Sequence, residues 1–156
     1  MAVVNFDELS EEIKAILEKE TTIVFATTWN NKVTARTMSH VNDGLTIYFP
    51  TGESSEKLQQ IKHNPNIACA IGNIQIEAVA EICGGFNENP HFKKLYETKF
   101  PHYFEAYKIL GNEIVIKIIP KKIKLWKYFD GVPCFEIADL NSKIAYREKQ
   151  TYFNRK

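Results

Sequence analysis

KVTARTMSHVNDGLTIYFPTGESSEK, residues 32–57, is the stretch on which the fold turns. Its first ten residues alternate with the two-residue period of a strand. Thr34, Arg36, Met38 and His40 fall on one face, and Ala35, Thr37, Ser39 and Val41 on the other. Asn42-Asp43-Gly44 then predicts a hairpin turn, because Asp and Gly accept the positive φ that tight turns demand. LTIYF (45–49) is the returning strand, with Leu45, Ile47 and Phe49 on one face, and it runs into Pro50-Thr51-Gly52. A short helix is predicted over 54–63, with Leu58 and Ile61 turned inward. Helix starts favour acidic side chains, since the first turn carries unpaired N–H groups and the positive end of the macrodipole. Glu56 obeys that preference and Lys57 defies it.

The hydroxyls of Thr51, Ser54 and Ser55, bare helix amides and Lys57 together resemble a phosphate seat. Arg36 is delivered toward it by the hairpin and adds forked recognition to the point charge of the lysine. Plainer readings stand beside this one. Ser54 caps the helix while Lys57 reaches solvent, and Arg36 pairs with a carboxylate such as Glu77.

Outward from this core, FDELSEEIKAILEKE (6–20) places Phe6, Leu9, Ile13, Ile16 and Leu17 on one helical face, with Asn5 as cap. TTIVFATT (21–28) is a β-branched strand stopped by Trp29-Asn30-Asn31. His63-Asn64-Pro65-Asn66 ends the short helix, and strands follow over 67–72 and 74–84, hinged at Gly72-Asn73. Residues 88–109 read as helical with a break at Pro101, and strands at 113–119 and 122–129 meet at Pro120. After Asp130 the apolar pattern thins, and residues 130–156 are expected to form a C-terminal tail of unassigned shape. Consecutive short strands joined by tight turns predict one mainly β domain: an antiparallel sheet closed as a barrel over 21–129, with helices flanking it.

The 156 residues carry a formal net charge of +1, which leaves no electrostatic footprint for nucleic acid, the lysine-rich KKIKLWKYF notwithstanding. There is no apolar run of membrane-spanning length, and MAVVNFDELSEE lacks the basic-then-apolar order of a secretory signal. Three dispersed cysteines predict a reduced, cytoplasmic protein, with Cys69 and Cys83 as buried inert thiols. The four histidines show no metal-ligand spacing, so no protein-bound metal is expected, and GxSxG, Walker and GxGxxG motifs are absent.

Arg36-Thr37-Met38-Ser39, Thr51-Gly52-Glu53-Ser54-Ser55-Glu56-Lys57 and Asn64-Pro65, in that order and spacing, resemble the pyridoxamine 5′-phosphate oxidase-like family of FMN-binding split β-barrels. The resemblance spans roughly residues 8 to 129. It implies that Arg36 and Lys57 contact the FMN phosphate with Thr51 and Ser55 as hydroxyl partners. It further implies that the backbone of Arg36, Thr37, Met38 and Ser39 runs along the isoalloxazine ring. Ile123-Lys124-Leu125-Trp126 matches the family's late tryptophan stretch, which implies a cofactor contact from Trp126 across a two-fold homodimer interface. Glu56 stands where the true oxidases carry arginine, and Lys127-Tyr128-Phe129-Asp130-Gly131-Val132-Pro133 lacks their arginine-bearing substrate segment. The resemblance therefore implies the branch similar to nitroimidazole reductases and general stress flavoproteins. An oxidoreductase acting on a small molecule is expected, with NADH or NADPH as a possible donor and no side-chain acid or base nominated. The alternative is a non-enzymatic flavin or haem carrier or sensor, for which His40, His91 and His102 are the candidate axial ligands.

Overall fold

β-branched residues and two-residue turns shape the sheet seen in the computed structural model, which describes residues 1–150 apart from the side chains of residues 107–110. In chain order the elements are β1 (Ala2–Val4), α1 (Phe6–Lys19), β2 (Thr22–Trp29), β3 (Lys32–Ser39), β4 (Val41–Asp43), β5 (Thr46–Gly52) and α2 (Glu56–His63). They continue with β6 (Asn66–Ile71), β7 (Ile74–Gly85), a 3-10 turn (Phe86–Glu88), α3 (Pro90–Lys99), α4 (Pro101–Leu110), β8 (Glu113–Phe129), β9 (Val132–Asp139) and β10 (Ile144–Lys149).

The sheet is antiparallel throughout and runs β1-β10-β9-β8-β7-β6-β2-β3, with β5 laid on the first half of β8 and β4 on β5. β3 and β4 are one extended stretch interrupted at His40. Its first part pairs with β2 and its second with β5, so this stretch carries the sheet round on itself. Asn30 and Asn31 both take positive φ (53° and 60°) and close the β2–β3 hairpin in two residues, Trp29 pairing with Lys32. The next hairpin is tighter than the sequence suggested. Asn42 and Asp43 belong to β4, and Gly44 (φ 59°) with Leu45 makes the turn.

The interior is filled by Ile23, Phe25, Ile47, Phe49, Ile76, Ile116, Ile118, Ile123 and Leu125, with Phe25 and Phe49 packed edge-on at 4.7 Å. Leu9, Ile13 and Leu17 of α1 and Leu58 and Ile61 of α2 close the same core. Asn5 Oδ1 caps α1 by accepting from Asp7 N and Glu8 N. A second, aromatic cluster (Phe86, Phe92, Tyr96, Phe100 and Phe104) holds α3 and α4 against Val41 and Val115.

Two expectations are corrected. The expected separate strands at 113–119 and 122–129 are one 17-residue strand, β8. Pro120 sits inside it because a register shift there (Glu77 opposite Lys122, Ala78 opposite Pro120) leaves Lys121 as an extra residue, so the missing proline N–H falls at a bulge. Residues 132–149 are not a loose tail, while the expectation for 151–156 lies outside the described residues. β9 and β10 add to the edge of the sheet, and β1, which the pattern did not mark, pairs with β10. Among the described residues no helix is long and apolar enough to cross a membrane.

Candidate functional site

Arg36 stands opposite Phe25 in the β2–β3 ladder, half-buried in the middle of its strand. A charge there needs compensation, and neutral oxygens provide it. Its Nη1 donates to Thr27 Oγ1 at 2.8 Å and to the Phe25 carbonyl at 3.3 Å, while Nη2 donates to Thr34 Oγ1 at 2.5 Å. Thr34 and Thr27 in turn donate to Oε1 of Gln60, a buried residue of α2; the Thr34 bond measures 2.7 Å. The carboxylate alternative does not hold: Glu77 lies exposed on β7, opposite Ala68 and Lys122. The guanidinium is thus oriented by α2 and β2 without being neutralised.

The head of α2 is built one residue later than the sequence pattern suggested. Ser55, not Ser54, is the cap: its Oγ accepts from Leu58 N at 3.4 Å, and its N–H donates to the Gly52 carbonyl at 3.1 Å. Buried Thr51, at the end of β5, places its Oγ1 3.0 Å from Ser55 Oγ. Lys57 follows in the first turn, half-buried. Glu56, the residue that stands where family oxidases carry arginine, is drawn aside by Lys32 at 2.9 Å on the exposed side of the helix.

Electrostatics ties these pieces together. Burial lowers the pKa of Lys57, the nearby Arg36 lowers it further, and Glu113 partly opposes both. Burial lowers Arg36 as well, against the attraction of Glu56. Neither cation has a carboxylate within 4.0 Å among the described residues. Two like charges held near each other, desolvated and without an ion-pair partner, make a local positive field with free donors. Thr27, Thr34, Gln60 and Glu113 were not singled out from the sequence. Periodicity did not mark them: Gln60 lies about 200° round α2 from Leu58, and its burial comes from the threonines of β2 and β3 that pack on it.

The remaining candidates are placed elsewhere. Thr37 is exposed on the opposite face of β3, Met38 packs against the core, and Ser39 ends the strand half-buried. Trp126 lies on the outer face of β8 opposite buried Ile123 and Leu125, as alternation predicted, and packs on Phe135 (4.9 Å) and Tyr128 (5.9 Å). Arg36, Thr51, Ser55 and Lys57 are therefore gathered around the α2 head, whereas Trp126 packs in a separate aromatic cluster. Of the imidazoles offered as haem ligands, His40 has no exposed surface and its Nε2 faces the Leu17 carbonyl at 3.0 Å. His91 is held 3.0 Å from Asp43, and His102 is exposed on α4. Cys69 is buried and its thiol is pushed up to about 12 by burial, consistent with an inert side chain.

Known proteins share both the pattern and the fold. General stress protein 26 of Bacillus subtilis is 27% identical over 135 residues, covering 83% of this chain and 96% of the relative. Among solved structures, the general stress protein 26 of Bacillus anthracis superposes with a TM-score of 0.61 at 25% identity, covering 82% of this chain and 97% of that one. HutZ, a haem storage protein of Vibrio cholerae, superposes with a TM-score of 0.63 at 13% identity, covering 74% and 92%, which is a likeness of fold. Residues 9–127 match the family described as pyridoxamine 5′-phosphate oxidase, and that span takes in the β2–β5 strands, α2 and the whole Arg36–Lys57 cluster. The chain belongs to the pyridoxamine 5′-phosphate oxidase-like family.

Proposed function

We propose that the protein is an FMN-binding flavoprotein, a homodimer acting as an oxidoreductase on a small molecule. The observation that carries this reading is the pair Arg36 and Lys57, two partly buried cations near the α2 head that holds the Thr51 and Ser55 hydroxyls, with no carboxylate in ion-pair contact among the described residues. A flavin phosphate supplies the anion that this arrangement lacks, and the α2 amides point their donors the same way. Lys32 holds Glu56 at 2.9 Å on the exposed side of α2, which draws its charge partly away from Arg36. When bound, the flavin supplies two-electron transfer. The protein's own residues hold its phosphate, and the backbone of Arg36 to Ser39 orients its ring. The outer face of β2, β3 and β6 presents Val24, Val33, Ala35, Ala68 and Ala70 to solvent, a small-residue surface suited to a second copy.

The absorption spectrum of the purified protein tests the reading. Flavin bands are expected, and they should be lost after gel filtration from the Arg36→Ala, Lys57→Ala double variant. Flavin retained by that variant at unchanged affinity would sink the phosphate seat, and a Soret band in place of flavin bands would move the assignment to haem. Reduction of the bound flavin by NADH or NADPH, followed by reoxidation on an added acceptor, distinguishes an enzyme from a carrier.

A further inference from the structure

Glu113 opens β8 directly opposite Gly52, next to the Thr51–Ile114 pair. The residue is 9% exposed, yet its carboxylate takes part in no ion pair or hydrogen bond among the described residues, and its oxygens keep a narrow access to solvent. Buried carboxylates ordinarily bring a partner with them. The groups around this one explain its isolation. β5 offers it Gly52, which has no side chain, and β7 offers Gly85 opposite Ile114, with the carboxylate of Glu88 resting against Gly84 and Gly85. From α2 the charged group acting on it is Lys57, and Glu56 is already engaged by Lys32. Burial raises the pKa of Glu113 more than Lys57 lowers it. Lys57 is thus attracted by Glu113 and repelled by Arg36.

We propose that Glu113 is a third ionisable member of the anion seat and sets the charge state in which a phosphate monoester is accepted there. The inference rests on the phosphate-seat reading of Arg36 and Lys57. A phosphate dianion and an ionised Glu113 compete for the same lysine. Seating the dianion therefore drives a proton from solvent onto the Glu113 carboxyl, or costs affinity where protons are scarce. Below the range in which Glu113 ionises there is no competition, and the seat binds without proton uptake.

The test compares FMN with riboflavin, which lacks the phosphate, in wild type and Glu113→Gln at about pH 5 and about pH 8. The second ionisation of the phosphate is common to both proteins and cancels in their ratio. Glu113→Gln should bind FMN about tenfold more tightly than wild type at the higher pH and by a smaller factor at the lower one, with riboflavin affinity unchanged by the substitution. A wild-type-to-variant ratio that is the same at both pH values overturns the role of Glu113 while leaving the seat intact. FMN bound no better than riboflavin by wild type overturns the seat and this inference together. Calorimetry of FMN binding in two buffers of different ionisation enthalpy gives a second readout. Between those two pH values wild type should take up more protons on binding than Glu113→Gln, and equal uptake by the two proteins overturns the proposal.

Discussion

His40 interrupts the strand between β3 and β4 with no exposed surface, and its imidazole is held between α1 and α3. The Leu17 carbonyl, 3.0 Å from Nε2, can only accept, so Nε2 carries the proton and Nδ1 is left without a partner. Lys99 donates to the same carbonyl at 3.0 Å and to Glu20 O at 2.7 Å, which places a cation beside the ring. Burial first, and Lys99 second, pull the His40 pKa from 6.5 to about 4 against the Leu17 hydrogen bond. A base whose folded pKa is depressed binds its proton more readily when unfolded. Its contribution is therefore complete above about pH 6.5 and is lost as pH falls toward about 4. At about 1.4 kcal/mol per pH unit, the full loss is about 3 kcal/mol, and about 2 kcal/mol of it is gone by about pH 5. Glu136 and Asp139 have lowered pKa values and add an acid-sensitive background, so a variant must isolate the histidine. In His40→Gln the side-chain amide keeps a donor for the Leu17 carbonyl and does not titrate. Urea unfolding of both proteins at about pH 7.5 and about pH 5 should show wild type losing about 2 kcal/mol more than the variant. Equal losses in the two proteins, within about 0.5 kcal/mol, would refute the buried neutral imidazole.

Glu136 is 5% exposed and clamped by Lys127 at 2.5 Å and Arg147 at 3.0 Å, with Lys127 also reaching Glu12 at 2.7 Å. Glu136→Ala leaves Arg147 without its carboxylate and Lys127 with Glu12 alone, and should cost about 2 kcal/mol in chemical unfolding; a loss under about 0.5 kcal/mol would show that water compensates them. Ser55→Ala removes the α2 cap and the partner of Thr51 Oγ1, and should lower stability by about 1 kcal/mol in the same assay. No change on Ser55→Ala would mean that the cap carries no net stability, despite its geometry.

Much of the barrel was legible because its causes are local. The Asn5 cap, the alternation of β2, β3 and the second half of β8, the asparagine turn after Trp29 and the stop at Asn64-Pro65 each act within a few residues. The strands after Asp130 were not legible, because β9 is buried on both faces, so its pattern does not alternate, and one of its buried residues is a glutamate. Glu136 reads as a surface residue until Lys127 and Arg147, on neighbouring strands, neutralise it. Likewise Pro120 reads as a strand end until the bulge against β7 absorbs its missing N–H.

The candidate site divides along the same line. The sequence by itself determined that Arg36 would sit in mid-strand and Lys57 in the first turn of a short helix, since period and spacing place them, although it put the cap at Ser54. Only the tertiary structure decided their electrostatic state. It satisfied Arg36 with Thr27, Thr34 and the Phe25 carbonyl instead of a carboxylate, drew Glu56 away to Lys32, and set Glu113 against Lys57 without contact. The reason is physical: a period-two or period-3.6 pattern is set by backbone geometry along a few residues, whereas which charge meets which depends on elements brought together from distant parts of the chain.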